Sequence, residues 1–326
     1  MNPRYAYLFC SMLALLLSLT LTPQVHAQAY PSKPVRLIIA FSQGGPTDIL
    51  GRLVADALER AWHVSVVPDN RPGAGGDIGT QLCAKSSPDG YTMCVLSIAQ
   101  AISPSISAKP GFDPVKDFTH VAMLATLPSM LLVHPTLPVR NVTELIALAK
   151  AKPGTLNYAS SGNGTSSHLM MELFKLDANV NIVHIPFKGT GTALIEQLSG
   201  RIEVGFAAIV AALPYVKAGK LRAIAVSTRE RLPLMPDVPT IDESGLKGFD
   251  NSSWIGIVMP AGVPAAIVNK VNADLLTMLQ SPVTQEKIRA LGGIPFGRSH
   301  DEFKTFVAGE VDRWAKVVRA AAIRGD

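Results

Sequence analysis

Cysteine and charged residues are both scarce in this chain of 326 residues, and each shortage argues against something. Only 3 cysteines occur, with no CxxC pair and no four-ligand spacing, so no structural zinc site is expected. Charged residues make up 17% of the chain, against 48% hydrophobic. A disordered chain has the opposite balance. Lys plus Arg number 30 and Asp plus Glu 25, a net charge of +5. The bases are scattered, Arg313, Lys316 and Arg319 being among the nearest to a cluster, and a nucleic-acid footprint needs a stripe or patch. No nucleic-acid partner is expected. Long apolar runs are missing too, apart from Leu8 to Leu21, which at 14 residues falls short of the ~20 that span a bilayer.

That run reads as an address. Arg4 precedes it and Val25-His26-Ala27 follows, the layout of a secretory signal peptide cut after Ala27. The remaining chain, 28–326, is expected to be exported and soluble, and long enough for two domains. Its two cysteines, Cys83 and Cys94, leave two readings. Cys83 falls in a helical pattern and Cys94 in an apolar strand, which favours two buried thiols. An oxidising compartment would allow one disulfide instead.

Strand and helix patterns alternate along the mature chain. Val35 to Ala40 is an aliphatic strand, followed by Phe41-Ser-Gln-Gly-Gly-Pro-Thr-Asp48 and a helical pattern from Ile49. A strand at 64–67 leads to Asn70-Arg-Pro-Gly-Ala-Gly-Gly76, a helix at 77–86 and a strand at 91–97. Apolar segments at 119–126 and 130–133 are separated by Pro128. Asn141 and Glu144 pair as a helix cap. Alternation then resumes through a strand at 156–159, the loop Ser160 to His168, and further helices and strands to 226. A strand at Trp254–Met259 and helices at 264–323 close the chain. The pattern predicts an α/β fold of two lobes, each with a mainly parallel sheet and a cleft between them. Lobe 1 takes 28–127 plus 250–326, and lobe 2 takes 128–249.

Enzyme signatures are missing. Gly73-Ala-Gly75 begins a dinucleotide fingerprint, but Ile78 stands where its third glycine belongs. There is no phosphate loop and no HExxH, and Ala159 replaces the first glycine of a nucleophile elbow around Ser161. No cofactor and no catalytic residue is assigned. Two glycine-rich loops do stand out, each just before a helix. Gly44 and Gly45 allow close backbone approach, with Pro46, Thr47 and Asp48 opening one helix. Gly162 and Gly164 do the same ahead of Thr165, Ser166 and Ser167. The first N–H groups of a helix have no internal acceptor and sit at its positive dipole end. Two such ends facing each other suit an anion, with no Arg or Lys required.

In order along the chain, Tyr30-Pro-Ser-Lys-Pro-Val-Arg-Leu-Ile38, Phe41 to Asp48, Asn70 to Gly76, Pro88-Asp-Gly-Tyr91, Tyr158 to His168, His184-Ile-Pro-Phe-Lys-Gly189, Pro239-Thr240 and Trp254 resemble the tripartite tricarboxylate transporter receptors, the Bug or TctC-type solute-binding proteins. The resemblance implies a Venus-flytrap receptor, not an enzyme. It would be a monomer that captures a small carboxylate in the periplasm and delivers it to integral-membrane permease subunits. A sensor partner of a two-component kinase, or a secreted enzyme on the same scaffold, would be the alternatives. The implied ligand contacts are Phe41, Ser42, Gly44, Gly45, Thr47 and Asp48 in the first loop and Ser160, Ser161, Gly162, Gly164, Thr165, Ser166 and His168 in the second. Gln100, near the strand end at Ala99, and Phe187, Lys188 and Gly189 would line the rest. Two departures from the family pattern bear on specificity. Gln43 stands where a proline is common. Ala207-Ala208 stands where many members carry an acid, which predicts a less polar carboxylate held near Ala207.

Overall fold

The computed structural model describes residues 30–107, 109–187 and 189–323. The signal peptide expected at 1–27, and Lys188, lie outside the described residues. From Lys33 onward the chain packs as one compact unit.

The run VRLII forms β1 (Val35–Ile39), buried at four of its five positions, as a strand covered on both faces must be. Pro46 then opens helix α1 (Pro46–Trp62), whose Leu50, Leu53, Val54 and Leu58 form one buried stripe. Strand β2 (Val66–Asn70) leads through a 3-10 turn, Ala74–Gly76, into α2 (Asp77–Ala84). A Cβ on Gly79 would lie 2.6 Å from the Arg71 carbonyl and 2.9 Å from the Ala40 Cα. Only glycine lets α2 sit that close to the end of β1.

Strand β3 (Thr92–Ser97) runs straight into α3 (Ile98–Ile106), a helix the sequence patterns do not announce. Pro104 lies inside it and hides the pattern, but Ser97 and Gln100 form a capping box that starts it. Cys83 on α2 and Cys94 on β3 are joined as a disulfide, their Cα atoms 6.4 Å apart. Of the two readings the sequence leaves open, the structure takes the disulfide rather than the favoured pair of buried thiols. The helical and strand patterns at the two cysteines describe burial correctly, but say nothing of the two side chains meeting.

Strand β4 (Phe118–Val133) is a single strand of 16 residues with Pro128 inside it. Pro128 falls where β4 leaves one partner strand for the next, a position that tolerates a missing N–H. The second half of the fold adds α4 (Val142–Ala151), β5 (Asn157–Ser160), α5 (Ser166–Ala178), β6 (Val183–Pro186), α6 (Thr190–Leu198), β7 (Val204–Ala208), α7 (Ile209–Lys217) and β8 (Arg222–Val226). Strand β9 (Ser252–Pro260) returns to the first half. It is followed by α8 (Ala265–Gln280), α9 (Pro282–Ala290), the edge strand β10 (Ile294–Arg298) and α10 (His300–Ala320).

The strands join in the order β2-β1-β3-β9-β4-β7-β5-β6, with β8 and β10 also on β4. Pairing is parallel for β1 with β2 and β3, and for β5 with β6 and β7. Every pairing made by β4 or β9 is antiparallel. The sheet is mixed rather than mainly parallel, because β9 comes back between β3 and β4 and a returning strand meets its neighbours head to tail. The front of β4 pairs with β9 and β10, and its end, Met130–Val133, with β7 and β8. One strand thus belongs to both halves. Where the halves meet, the Ser129 N–H donates to Ser227 Oγ at 3.0 Å, and the Asn251 N–H to the Ser227 carbonyl at 2.8 Å.

Each half has its own core. Trp254, Phe303 and Trp314 centre the first, and both indole N–H groups donate to the buried Glu310 carboxylate at 3.0 and 3.1 Å. Tyr158, Phe174, Phe206 and Phe249 centre the second.

Candidate functional site

In open α/β sheets a ligand crevice forms beyond the carboxyl ends of the parallel strands. Here the ends of β1, β3, β5 and β7 deliver Phe41, Ser97, Ser161 and Ala207 to one cleft of about 560 Å³. That is room for a small molecule. Its wall takes residues at or beside the starts of α1 (Thr47), α2 (Asp77), α3 (Ile98), α5 (Ser166), α6 (Thr190) and α7 (Ala208). Many helix N-termini at one cavity make its surface electropositive without a cation. Asp77 is the only charged group among the described residues of the lining, and no Arg, Lys or His is among them.

The first loop is braced from behind by Asp48, which is 3% exposed. Its carboxylate accepts the Gly44 N–H at 2.9 Å, Arg52 Nε at 3.0 Å and Asn70 Nδ2 at 2.9 Å. Asn70 also donates to the Phe41 carbonyl at 3.0 Å. Burial alone would raise the Asp48 pKa, but these hydrogen bonds and the Arg52 charge hold it below the usual carboxylate range. The first intrahelical bond of α1 is from Ile49 to Gly45, so the Thr47 and Asp48 amides ahead of it have no acceptor within the helix.

The second loop is built from its own hydroxyls. Ser167 Oγ accepts the Ser161 N–H at 3.0 Å and lies 3.2 Å from Thr165 Oγ1, which donates to the Gly162 carbonyl at 2.8 Å. The first intrahelical bond of α5 is from Leu169 to Thr165, leaving the amides of Ser166, Ser167 and His168 ahead of it. Behind the loop lies a stack of rings, buried at Tyr158 and His168 and half-buried at His184. The His168 and His184 rings are 3.9 Å apart between centroids, and His184 lies 4.8 Å from Tyr158. The Tyr158 hydroxyl donates to Glu172 at 2.5 Å, and Lys175 to the same oxygen at 2.6 Å. Burial pushes both histidines down to about 4. Neutral His168 accepts the Gly164 N–H at its Nδ1, at 3.0 Å.

Of the residues singled out from sequence, Phe41, Thr47, Ser161, Gly164, Thr165, Ser166 and Ala207 line the cleft. Ser42, Gly44, Gly45, Gly162, Phe187 and Gly189 form the loops but are outside the lining, as is Gln43. Asp48, Ser160 and His168 are buried behind the wall. Gln100 is fully buried and accepts the Ser97 N–H and hydroxyl at 2.9 Å each, a cap rather than a cleft wall. Lys188 lies outside the described residues. Sequence reasoning missed Asp77, Ser103, Ser107, Asn163, Thr190 and Ser253, all in the lining. Asp77 carries a signal in the sequence: it directly follows the Asn70–Gly76 glycine run and opens the helix beyond it. No group of three His, Cys, Asp or Glu is placed to hold a metal ion among the described residues.

The comparisons with known proteins agree with this geometry. The family model of the tripartite tricarboxylate transporter family receptor, TctC, matches residues 50–323. The chain belongs to that family. It is 35% identical over 297 residues to Protein BugT of Bordetella pertussis (strain Tohama I), covering 90% of this chain and 91% of BugT. Among solved structures, R. palustris Rpa4515 with adipate superposes with a TM-score of 0.81 at 35% identity, covering 91% of this chain and all of that one. MatC (Rpa3494) from Rhodopseudomonas palustris with bound malate does so at 0.77 and 31% identity, covering 89% of this chain and all of that one. The TctC family is one of substrate-binding receptors. No helix among the described residues is long and apolar enough to cross a membrane.

Proposed function

We propose that this chain is the periplasmic receptor of a tripartite transporter. It captures a small carboxylate between the helix ends of its two halves and passes it to integral-membrane permease subunits. In this reading the signal peptide is removed after Ala27, and the mature monomer has lobes 28–127 plus 250–326 and 128–249. Phe41, Thr47, Ser161, Gly164, Thr165, Ser166 and Ala207 contact the ligand. Ser42, Gly44, Gly45, Asp48, Ser160, Gly162, His168, Phe187 and Gly189 shape the loops behind them, and Gln100 caps α3 beside the cleft.

The observation that carries the reading is the α1 and α5 N-termini opening onto one cleft with no basic side chain among its described lining residues. Helix-end amides and serine or threonine hydroxyls bind a carboxylate as they stand. Relatives with adipate and malate supply the ligand class. Among the described residues, the closest arrangement to a nucleophile and base is Ser160 Oγ at 2.6 Å from His184 Nε2. Ser160 is fully buried and outside the cleft lining, so the pair serves the loop rather than a reaction.

A thermal-shift panel on residues 28–326 tests this, using mono-, di- and tricarboxylates, amino acids, aromatic acids and neutral sugars. A ligand at 100 times its Kd adds about 2.7 kcal/mol of stability. One carboxylate class should shift the melting point and its matching amide should not. Ligand-stripped protein that responds to no carboxylate would contradict the reading.

A further inference from the structure

Asp77 is out of keeping with an anion site. It is the first residue of α2, 7% exposed, and lies in the cleft wall beside Ala74, Gly75, Ser103 and Ser107. Its Oδ2 accepts the Ser103 hydroxyl at 2.8 Å, and the nearby Ser107 hydroxyl helps to offset the effect of burial on its pKa. Burial pushes its pKa up, and the two hydroxyls pull the other way. Among the described residues no cation pairs with it. A buried carboxylate without a counter-charge is costly, and serine hydroxyls alone offset only part of that cost. Asp77 lines the cleft, and among the described residues no cation or backbone N–H bonds to its carboxylate.

The two ends of the cleft therefore differ. Ser161, Thr165, Ser166 and the α5 N-terminus form a donor-rich wall in the second half. Asp77 adds an acceptor to the first half's wall, apart from the amides at the start of α1. We propose that Asp77 sets ligand specificity: the captured carboxylate carries a hydroxyl or ammonium group at its far end, which donates to Asp77. A second ionised carboxylate placed there would meet Asp77 as a like charge in a partly dry site, which is unfavourable. This reverses the less polar ligand expected from Ala207-Ala208, because the acid missing from β7 is supplied by α2 across the cleft. The inference rests on the carboxylate reading above.

Isothermal titration of residues 28–326 at neutral pH tests it with straight-chain C4 to C8 alkanoates, ω-hydroxyalkanoates, ω-aminoalkanoates and dicarboxylates. A donor-bearing member should bind at least about tenfold tighter than the alkanoate and dicarboxylate of its length, the worth of one charge-assisted hydrogen bond. Asp77→Asn should abolish that preference and bring the dicarboxylate up by a similar factor. The wild-type ratios alone are decisive should the variant fail to fold. A wild type that binds dicarboxylates or plain alkanoates tightest, or an Asp77→Asn protein with unchanged ratios, overturns the inference and leaves the carboxylate reading standing. If no member of any series binds, this inference falls, and the broader thermal-shift panel decides the carboxylate reading.

Discussion

Nδ1 of His168 accepts the Gly164 N–H at 3.0 Å, so a buried imidazole holds from behind a loop residue that faces the cleft. The contact requires a neutral ring with a free lone pair. Burial supplies that by holding His168 down to about 4, as it does for its stacking partner His184 and for His120 in the other half.

Stability should therefore fall with acid in a defined window. These histidines are neutral when folded and titrate near 6.5 when unfolded, so the unfolded chain binds more protons between pH 6.5 and about 4. Their contribution is complete above pH 6.5 and is lost as pH falls toward 4, at up to about 1.4 kcal/mol per pH unit for each. Urea unfolding at pH 7.0, 6.0 and 5.0 measures it. His168→Gln should flatten the decline by about one histidine's share. A slope unchanged by that variant would remove His168 from the account.

Gly164 reaches across the cleft as well. Its φ is +69°, and a Cβ there would overlap Ile106 at the end of α3. Gly164→Ala should weaken ligand binding about tenfold, from the left-handed backbone cost of about 1–2 kcal/mol and the clash together. Ile106→Ala in that background should restore the steric part only. Equal losses in the single and double variants would show that Ile106 plays no part.

Much of this was legible from sequence, for physical reasons that also explain what was not. Glycine loops before amphipathic helices announced α1 and α5, because such turns need glycine and such helices need a stripe. The Asn141 cap appeared as expected, its Oδ1 accepting the Glu144 N–H at 2.8 Å. Strand β4 was read as two pieces, since Pro128 breaks a strand unless it falls between partners, and partner identity is a tertiary fact. Asp48 was read as a ligand contact; its Arg52 partner one turn on was the available sign that its charge is already spent. Asp77 was overlooked because a helix-opening acid is ordinary, and only the folded chain shows what it faces.

The Cys83–Cys94 disulfide closes a short loop between α2 and β3. Residues 28–326, denatured without reductant, should show no titratable thiol. Cys83→Ser with Cys94→Ser should cost about 2–4 kcal/mol in unfolding free energy. Two free thiols in protein purified from the periplasm would contradict the pairing.

Ala207 is 5% exposed and lines the cleft from β7. Ala207→Asp places an acid there with no partner, and should reduce affinity for the native carboxylate by at least about tenfold. Ala207→Asn, similar in shape but neutral, should lose less. Titration calorimetry separates the two, with melting curves confirming that both fold. An undiminished affinity in Ala207→Asp would show that the ligand carboxylate lies away from β7.

The most direct measurement is the crystal structure of residues 28–326 with the tightest carboxylate from the thermal-shift panel. The account predicts carboxylate oxygens within hydrogen-bond distance of the amides at the start of α5, residues 166–168, or of α1, residues 47 and 48. The far end of the ligand should lie beside Asp77. A carboxylate held by a basic side chain, or bound outside the cleft with both helix ends unused, would contradict it.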